Sequence, residues 1–129
     1  CLDAVGPLGE ALRHDGVRVD HLHRAEGVDL ALVGRLRALV ADLRPDVVVA
    51  HQYTPWSYAA MAVATLRHRP PLAFVEHGRH YPDARRPKRI VANRAAFLHL
   101  TGRVVAVCDA RAVWILRIEA WSPKGDWML

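Results

Sequence analysis

Apolar positions along this chain switch repeatedly between two periods. Val17-Arg18-Val19-Asp20-His21-Leu22 alternates apolar and polar side chains, the pattern of a half-buried strand. Asp29 then stands as an N-cap before a helix running to about Leu43. Within it Leu32, Leu36, Leu39 and Leu43 recur three and four apart, as one apolar stripe. Pro45 stops the helix. Val47-Val48-Val49-Ala50 is continuous and β-branched, which predicts a strand buried on both faces of a parallel sheet. After His51-Gln52-Tyr53-Thr54, Pro55 fits the first turn of a helix to about His68. Its Tyr58, Ala59, Ala62, Val63 and Leu66 share a face. Pro70-Pro71 break the chain before a strand from Leu72 to Glu76. A basic helix over about Pro87 to Leu100 and a strand from Arg103 to Val107 follow.

With Cys1-Leu2-Asp3 as the end of a first strand, strands and helices alternate throughout. Alternation of this kind implies parallel βαβ units with right-handed crossovers. The expected fold is therefore α/β: a Rossmann-like, open, mainly parallel sheet with helices on both faces. The chain's 129 residues suffice for one such domain. In this architecture ligands bind beyond the carboxyl ends of the strands. His51 ends one strand and Glu76-His77 end the next, so both histidines are expected at one edge of the sheet. The stretch FVEHGRHYPD then spends its hydrogen-bonding side chains immediately after an apolar strand, as a binding loop does.

Charge narrows the partners without naming one. The net charge of +5 favours an anion: a nucleotide diphosphate, nucleic acid or an acidic membrane face. Arg85-Arg86-Pro87-Lys88-Arg89 is the densest basic run. It has no interleaved aromatics, so nucleic acid fits it poorly. Basic groups at a helix start oppose the helix dipole and point to an anion nearby. Cys1 and Cys108 have neither metal nor disulfide spacing. His21-x-His23 and His77-x2-His80 lack the Cys or acidic company of a zinc site, so no metal is expected. No run reaches the roughly 18–20 apolar residues of a membrane span, and none reads as a secretory leader. The expected location is cytoplasmic, with peripheral contact at an anionic inner membrane face as its extension.

Several stretches carry a resemblance. PLGEAL, LRPDVVVAHQYTPW, FVEHGRHYPDARRPKRIVAN and RVVAV together resemble the N-terminal half of a family 4 glycosyltransferase of the GT-B fold. The resemblance implies a two-domain enzyme. Its N-terminal domain holds the acceptor, and its C-terminal domain holds the nucleotide-sugar donor, a UDP- or GDP-sugar. Transfer goes to a glycan or lipid-linked acceptor with retention, and no cofactor is implied beyond the nucleotide-sugar co-substrate. His77 matches the histidine that points toward the donor sugar, and His51 matches a cleft residue on the acceptor side. Gly78 would let backbone approach the ligand, and Arg79, His80 and Tyr81 would line the cleft. From their charge, rather than from the resemblance, Arg85, Arg86, Lys88 and Arg89 would meet an anionic acceptor or a phosphate.

The chain also departs from that pattern. The family's first strand and Gly-rich loop have no counterpart, so residues 1–108 read as an incomplete N-terminal domain. Residues 109–129 read as an atypical tail, truncated before the donor domain. With no initiator methionine, the chain is expected to be a fragment, inactive by itself. Two other readings remain at this level. One is a non-catalytic Rossmann-like module that binds an anionic ligand or partner. The other is a sugar-nucleotide epimerase of the GT-B type.

Overall fold

A computed structural model of the chain describes residues 1–77, 91, 101, 103–106 and 127–128. Helix α1 spans Pro7–His14, α2 Leu30–Leu43 and α3 Tyr53–Ala64. Strand β1 spans Val48–His51, β2 Leu72–Glu76, β3 Arg103–Ala106 and β4 Trp127–Met128. They form one sheet in the order β1-β2-β3-β4, and each neighbouring pair is parallel. Parallel neighbours need a crossover, and α3 supplies it between β1 and β2. The chain is thus α/β and Rossmann-like, as its periodicity predicts.

Local chemistry sets the element ends. Asp29 is extended and its Oδ1 accepts the Leu32 N–H at 3.0 Å, which starts α2. Arg44 ends that helix in the left-handed conformation, at φ 46°, just before Pro45. Pro55 falls within the first turn of α3, where its missing N–H is harmless. The helix stops at Ala64, short of the expected His68. Thr65 closes it: its N–H and its hydroxyl both donate to the Ala62 carbonyl, and Leu66 N–H donates to Val63.

The core lies between α3 and the sheet. Register pairs Val48 with Leu72 and Ala50 with Phe74, and paired residues share a face. Ala50, Leu72 and Phe74 are buried there, and the Phe74 ring meets Trp56 of α3 at 5.1 Å. The expected apolar face of α3, from Tyr58 to Leu66, is buried throughout. Helix α2 packs on α3 through Val40, Val63 and Leu66, with Leu36 and Val48 at the border. Among the described residues no helix is long and apolar enough to cross a membrane.

Four expectations need correction. The buried seam of α2 runs Leu32, Leu36, Val40, a spacing of four set by its packing on α3, and Leu43 is 46% exposed. Strand β1 begins at Val48 and is not buried on both faces. Val47 and Val49 are about half exposed, because β1 is the outer strand of the described sheet and Val49 faces away from α3. Residues 17–22 form no strand. The Arg13 guanidinium occupies the Val19 carbonyl at 2.7 and 3.0 Å, and Val17 N–H turns back to Leu12. Cys1–Asp3 is likewise no strand of the described sheet. It runs parallel to residues 20–24, through Cys1 N to Asp20 O, Leu22 N to Cys1 O and Arg24 N to Leu2 O. Strand β4 has no apolar pattern of its own; pairing with β3 makes it a strand. Of the helix expected over 87–100 only Val91 is among the described residues, and it is helical. The helix expected over 108–119 lies outside them.

Candidate functional site

Two adjacent parallel strands deliver two histidines to one point. His51 is the last residue of β1, and His77 follows the last residue of β2. Register pairs His51 with Val75, so pleat alternation sends His51, Val75 and His77 to the same side. The rings lie 5.0 Å apart, tilted by 24°, and His51 Nδ1 is 2.7 Å from His77 Nε2. Both residues are exposed. Glu76, between Val75 and His77, points the other way and is fully buried on the Phe74 side.

A 2.7 Å contact between two ring nitrogens requires one bridging hydrogen. If His51 Nδ1 donates, His77 presents an N–H at Nδ1 and His51 an acceptor at Nε2. If His77 Nε2 donates, the outer roles exchange. Either way the neutral pair offers one donor and one acceptor outward, and moving the bridging proton swaps them. With one added proton, both outer nitrogens become donors. Such a pair can hold a hydroxyl on one side and answer developing charge on the other.

An aromatic cluster lies on the face of the sheet opposite the pair. Trp56 is fully buried, with Tyr53 at 5.3 Å, Phe74 at 5.1 Å and its indole N–H donated to Thr101 Oγ1 at 2.9 Å. Gln52 joins β1 to α3 at φ 74° and ψ 160°, backbone that ordinarily belongs to glycine. Its N–H is held by the Val75 carbonyl at 2.8 Å, which keeps the strained turn in place beside His51.

A second brace anchors the segment before α2. Asp29 is 8% exposed and accepts from Ala25 N–H, Leu32 N–H and Arg35 Nη2, while its own N–H donates to the Tyr58 hydroxyl. Arg35 also donates to the Leu22 and His23 carbonyls. The Ala25 N–H, then Arg35 and the Leu32 N–H, hold the Asp29 carboxyl below its ordinary 3.8, against burial that pulls it up. A lowered folded-state pKa stabilises the fold above the unfolded value and loses that contribution as pH falls through the folded one. Asp29→Asn is therefore expected to flatten the acid limb of a stability curve below pH 3.8. It is also expected to lower Tm by several degrees at neutral pH, by thermal denaturation. An unchanged acid limb would show that another carboxylate carries it.

Of the residues expected at the site, the structure brings His51 and His77 together. Gly78, Arg79, His80, Tyr81, Arg85, Arg86, Lys88 and Arg89 lie outside the described residues. The His21 and His23 rings touch, with centroids 3.8 Å apart, but among the described residues no cluster of three or more His, Cys, Asp or Glu could hold a metal. Two supporting features escape sequence reading. Gln52 carries no signal of its conformation, since a glycine would be the sign. The Arg35–Asp29–Tyr58 brace joins residues 29 positions apart, and Asp29 advertises only its cap.

No curated protein matches the chain. The family model described as Glycosyltransferase Family 4 does, over residues 1–119 of 129. That span contains the strand-end histidines, the α3 crossover and the sheet from β1 to β3. The chain belongs to glycosyltransferase family 4, whose members move a glycosyl group from a donor to an acceptor.

Proposed function

We propose that this chain forms the acceptor side of the cleft of a retaining glycosyltransferase that uses a UDP- or GDP-sugar. The observation that carries the reading is the His51–His77 pair, at the carboxyl ends of adjacent parallel strands. This edge is where an open α/β sheet binds its ligands. In the proposed reaction the bond from sugar C1 to the donor phosphate oxygen breaks. The acceptor oxygen bonds to C1 on the same face, and the acceptor proton ends on the departing diphosphate. No protein nucleophile and no metal or organic cofactor takes part. His77, bridged to His51 through Nε2, turns Nδ1 toward the donor sugar and orients it. His51 Nε2 is left for the acceptor hydroxyl.

The loop after β2 completes the site in this reading. Gly78 admits the ligand close to backbone, while Arg79, His80 and Tyr81 line the cleft. Arg85, Arg86 and Lys88 meet an anionic glycan or lipid-linked acceptor. Residues 1–108 make up the acceptor-side domain, and residues 109–129 a tail outside it. The work is done in the cytoplasm, at or near the inner membrane face.

Thermal stability with UDP- and GDP-sugars tests this, on the chain alone and joined to a family donor-binding domain. Binding to the native state raises stability by mass action. A donor-dependent rise is expected in the joined protein and is expected to vanish in His77→Ala. The 129 residues alone are expected to turn over no donor, since half the cleft cannot position both reactants. A donor shift in the chain alone that survives His77→Ala would overturn the reading in favour of a binding module.

A further inference from the structure

The opposite edge of the sheet carries a second concentration of charge. Helices α2 and α3 end near where β1 and β2 begin, away from His51 and His77. Between them opens a groove of about 580 Å³. Arg37, Arg44, Arg67, His68 and Arg69 line it, and no carboxylate does. Its floor is apolar, built on the buried Val40 and Leu66.

Helix ends account for two of these cations: Arg44 is the C-cap of α2, and Arg37, in the middle of α2, reaches the carbonyl of Thr65, the C-cap of α3, at 3.5 Å. The Arg67-His68-Arg69 run lies beyond the end of α3, and among the described residues no carboxylate pairs with it. Among the described residues, the ion pairs engage Arg13, His14, Arg18, Arg24 and Arg35. None of the groove arginines takes part in one. Arg44 holds the left-handed helix end where glycine is the usual residue. Guanidinium groups gathered around one groove repel one another, weakly because all are exposed, and an anion among them relieves that repulsion. Their planar forks match phosphate oxygens two at a time. The volume is that of a small-molecule site.

We propose that this groove binds an anion with a terminal phosphate, a phosphomonoester or a diphosphate monoester, with its organic part on the Val40–Leu66 floor. A UDP- or GDP-sugar, esterified at both phosphates, is not its ligand and is not expected to raise Tm through it. The site is separate from the histidine edge and stands whatever that edge binds. The phosphate could belong to a soluble ester or to a lipid headgroup, and the two have different readouts.

Inorganic pyrophosphate is the soluble probe, titrated at constant ionic strength set with chloride and followed by calorimetry and Tm. Saturable binding with a rise in Tm is expected. The Arg67→Ala/Arg69→Ala variant is expected to lose roughly tenfold in affinity per guanidinium removed. His77→Ala is expected to bind pyrophosphate as the wild type does. Both arginines are exposed, so the variant should fold, and its far-UV spectrum checks that. A second arm uses vesicles of phosphatidylcholine with and without phosphatidic acid, whose headgroup is a phosphomonoester. Binding that needs the anionic lipid, is displaced by pyrophosphate and is lost in the double variant assigns the groove to a headgroup. Pyrophosphate binding without vesicle binding assigns it to a soluble ester. No saturable binding of either probe, or binding unchanged in Arg67→Ala/Arg69→Ala, would overturn the proposal.

Discussion

Trp56→Ala is expected to destabilise the fold by about 3–5 kcal/mol. Trp56 is fully buried in α3 and stacks near Phe74 of β2, so its ring fills the space between the crossover helix and the sheet. Truncation loses the transfer free energy of the indole and leaves a cavity that a helix packed through small residues cannot close. Ala59, Ala60 and Ala62 have no longer side chains to move into it. The indole N–H given to Thr101 at 2.9 Å is lost as well. Domains of this size hold about 5–15 kcal/mol in total, so the loss is a large share. Trp56→Phe keeps most of the apolar contact and drops the donor, and about 1–2 kcal/mol is expected. Urea denaturation separates the two: the midpoint falls in both variants, further in Trp56→Ala, with the slope unchanged. A Trp56→Ala midpoint within about 1 kcal/mol of wild type would mean that α3 is held by contacts other than this ring.

Much of this was legible because the signals are local. Asp29 before an apolar period marks a helix start, and the structure has the Asp29 side chain capping Leu32. Pro70-Pro71 before Leu72-Ala73-Phe74-Val75-Glu76 marks a strand start, and β2 covers those residues. The strand-end placement of His51 and His77 followed from the alternation of strands and helices. What the sequence could not give is pairing. Alternation at 17–22 reads as a strand, but a strand exists only where its carbonyls meet another strand, and the Val19 carbonyl is taken by Arg13. Trp127–Met128 has the reverse fate, since β3 recruits it without any pattern in its own residues. The 2.7 Å bridge between His51 and His77 depends on parallel register, which no periodicity encodes. The groove arginines come from two segments about 30 positions apart, and only the Arg67-His68-Arg69 run stands out along the chain.

His77→Ala, in a protein with donor and acceptor halves joined, is expected to lower kcat/KM by roughly 10²–10³-fold. The argument starts from the bridge. His51 holds His77 Nε2, so the ring presents Nδ1 in a fixed direction at the sheet edge, and alanine removes both the direction and the charge-stabilising nitrogen. The loss is expected in both KM and kcat, because His77 orients the bound donor sugar and also answers charge as it develops. His51→Ala is expected to cost less, since it frees the His77 ring without deleting it. The double variant is expected to be little worse than His77→Ala, because two residues acting as one unit do not add. His77→Gln keeps an amide donor near the same place and should recover part of the loss. Both histidines are exposed, so Tm should hardly move in any of these variants, and a large fall would point to folding instead. If the double variant loses the product of the two single losses, the histidines act independently and the bridge has no part in catalysis. If His77→Ala stays within about threefold of wild type, the sugar is oriented by other groups, and the strand-end pair belongs to the scaffold of the cleft rather than to its chemistry.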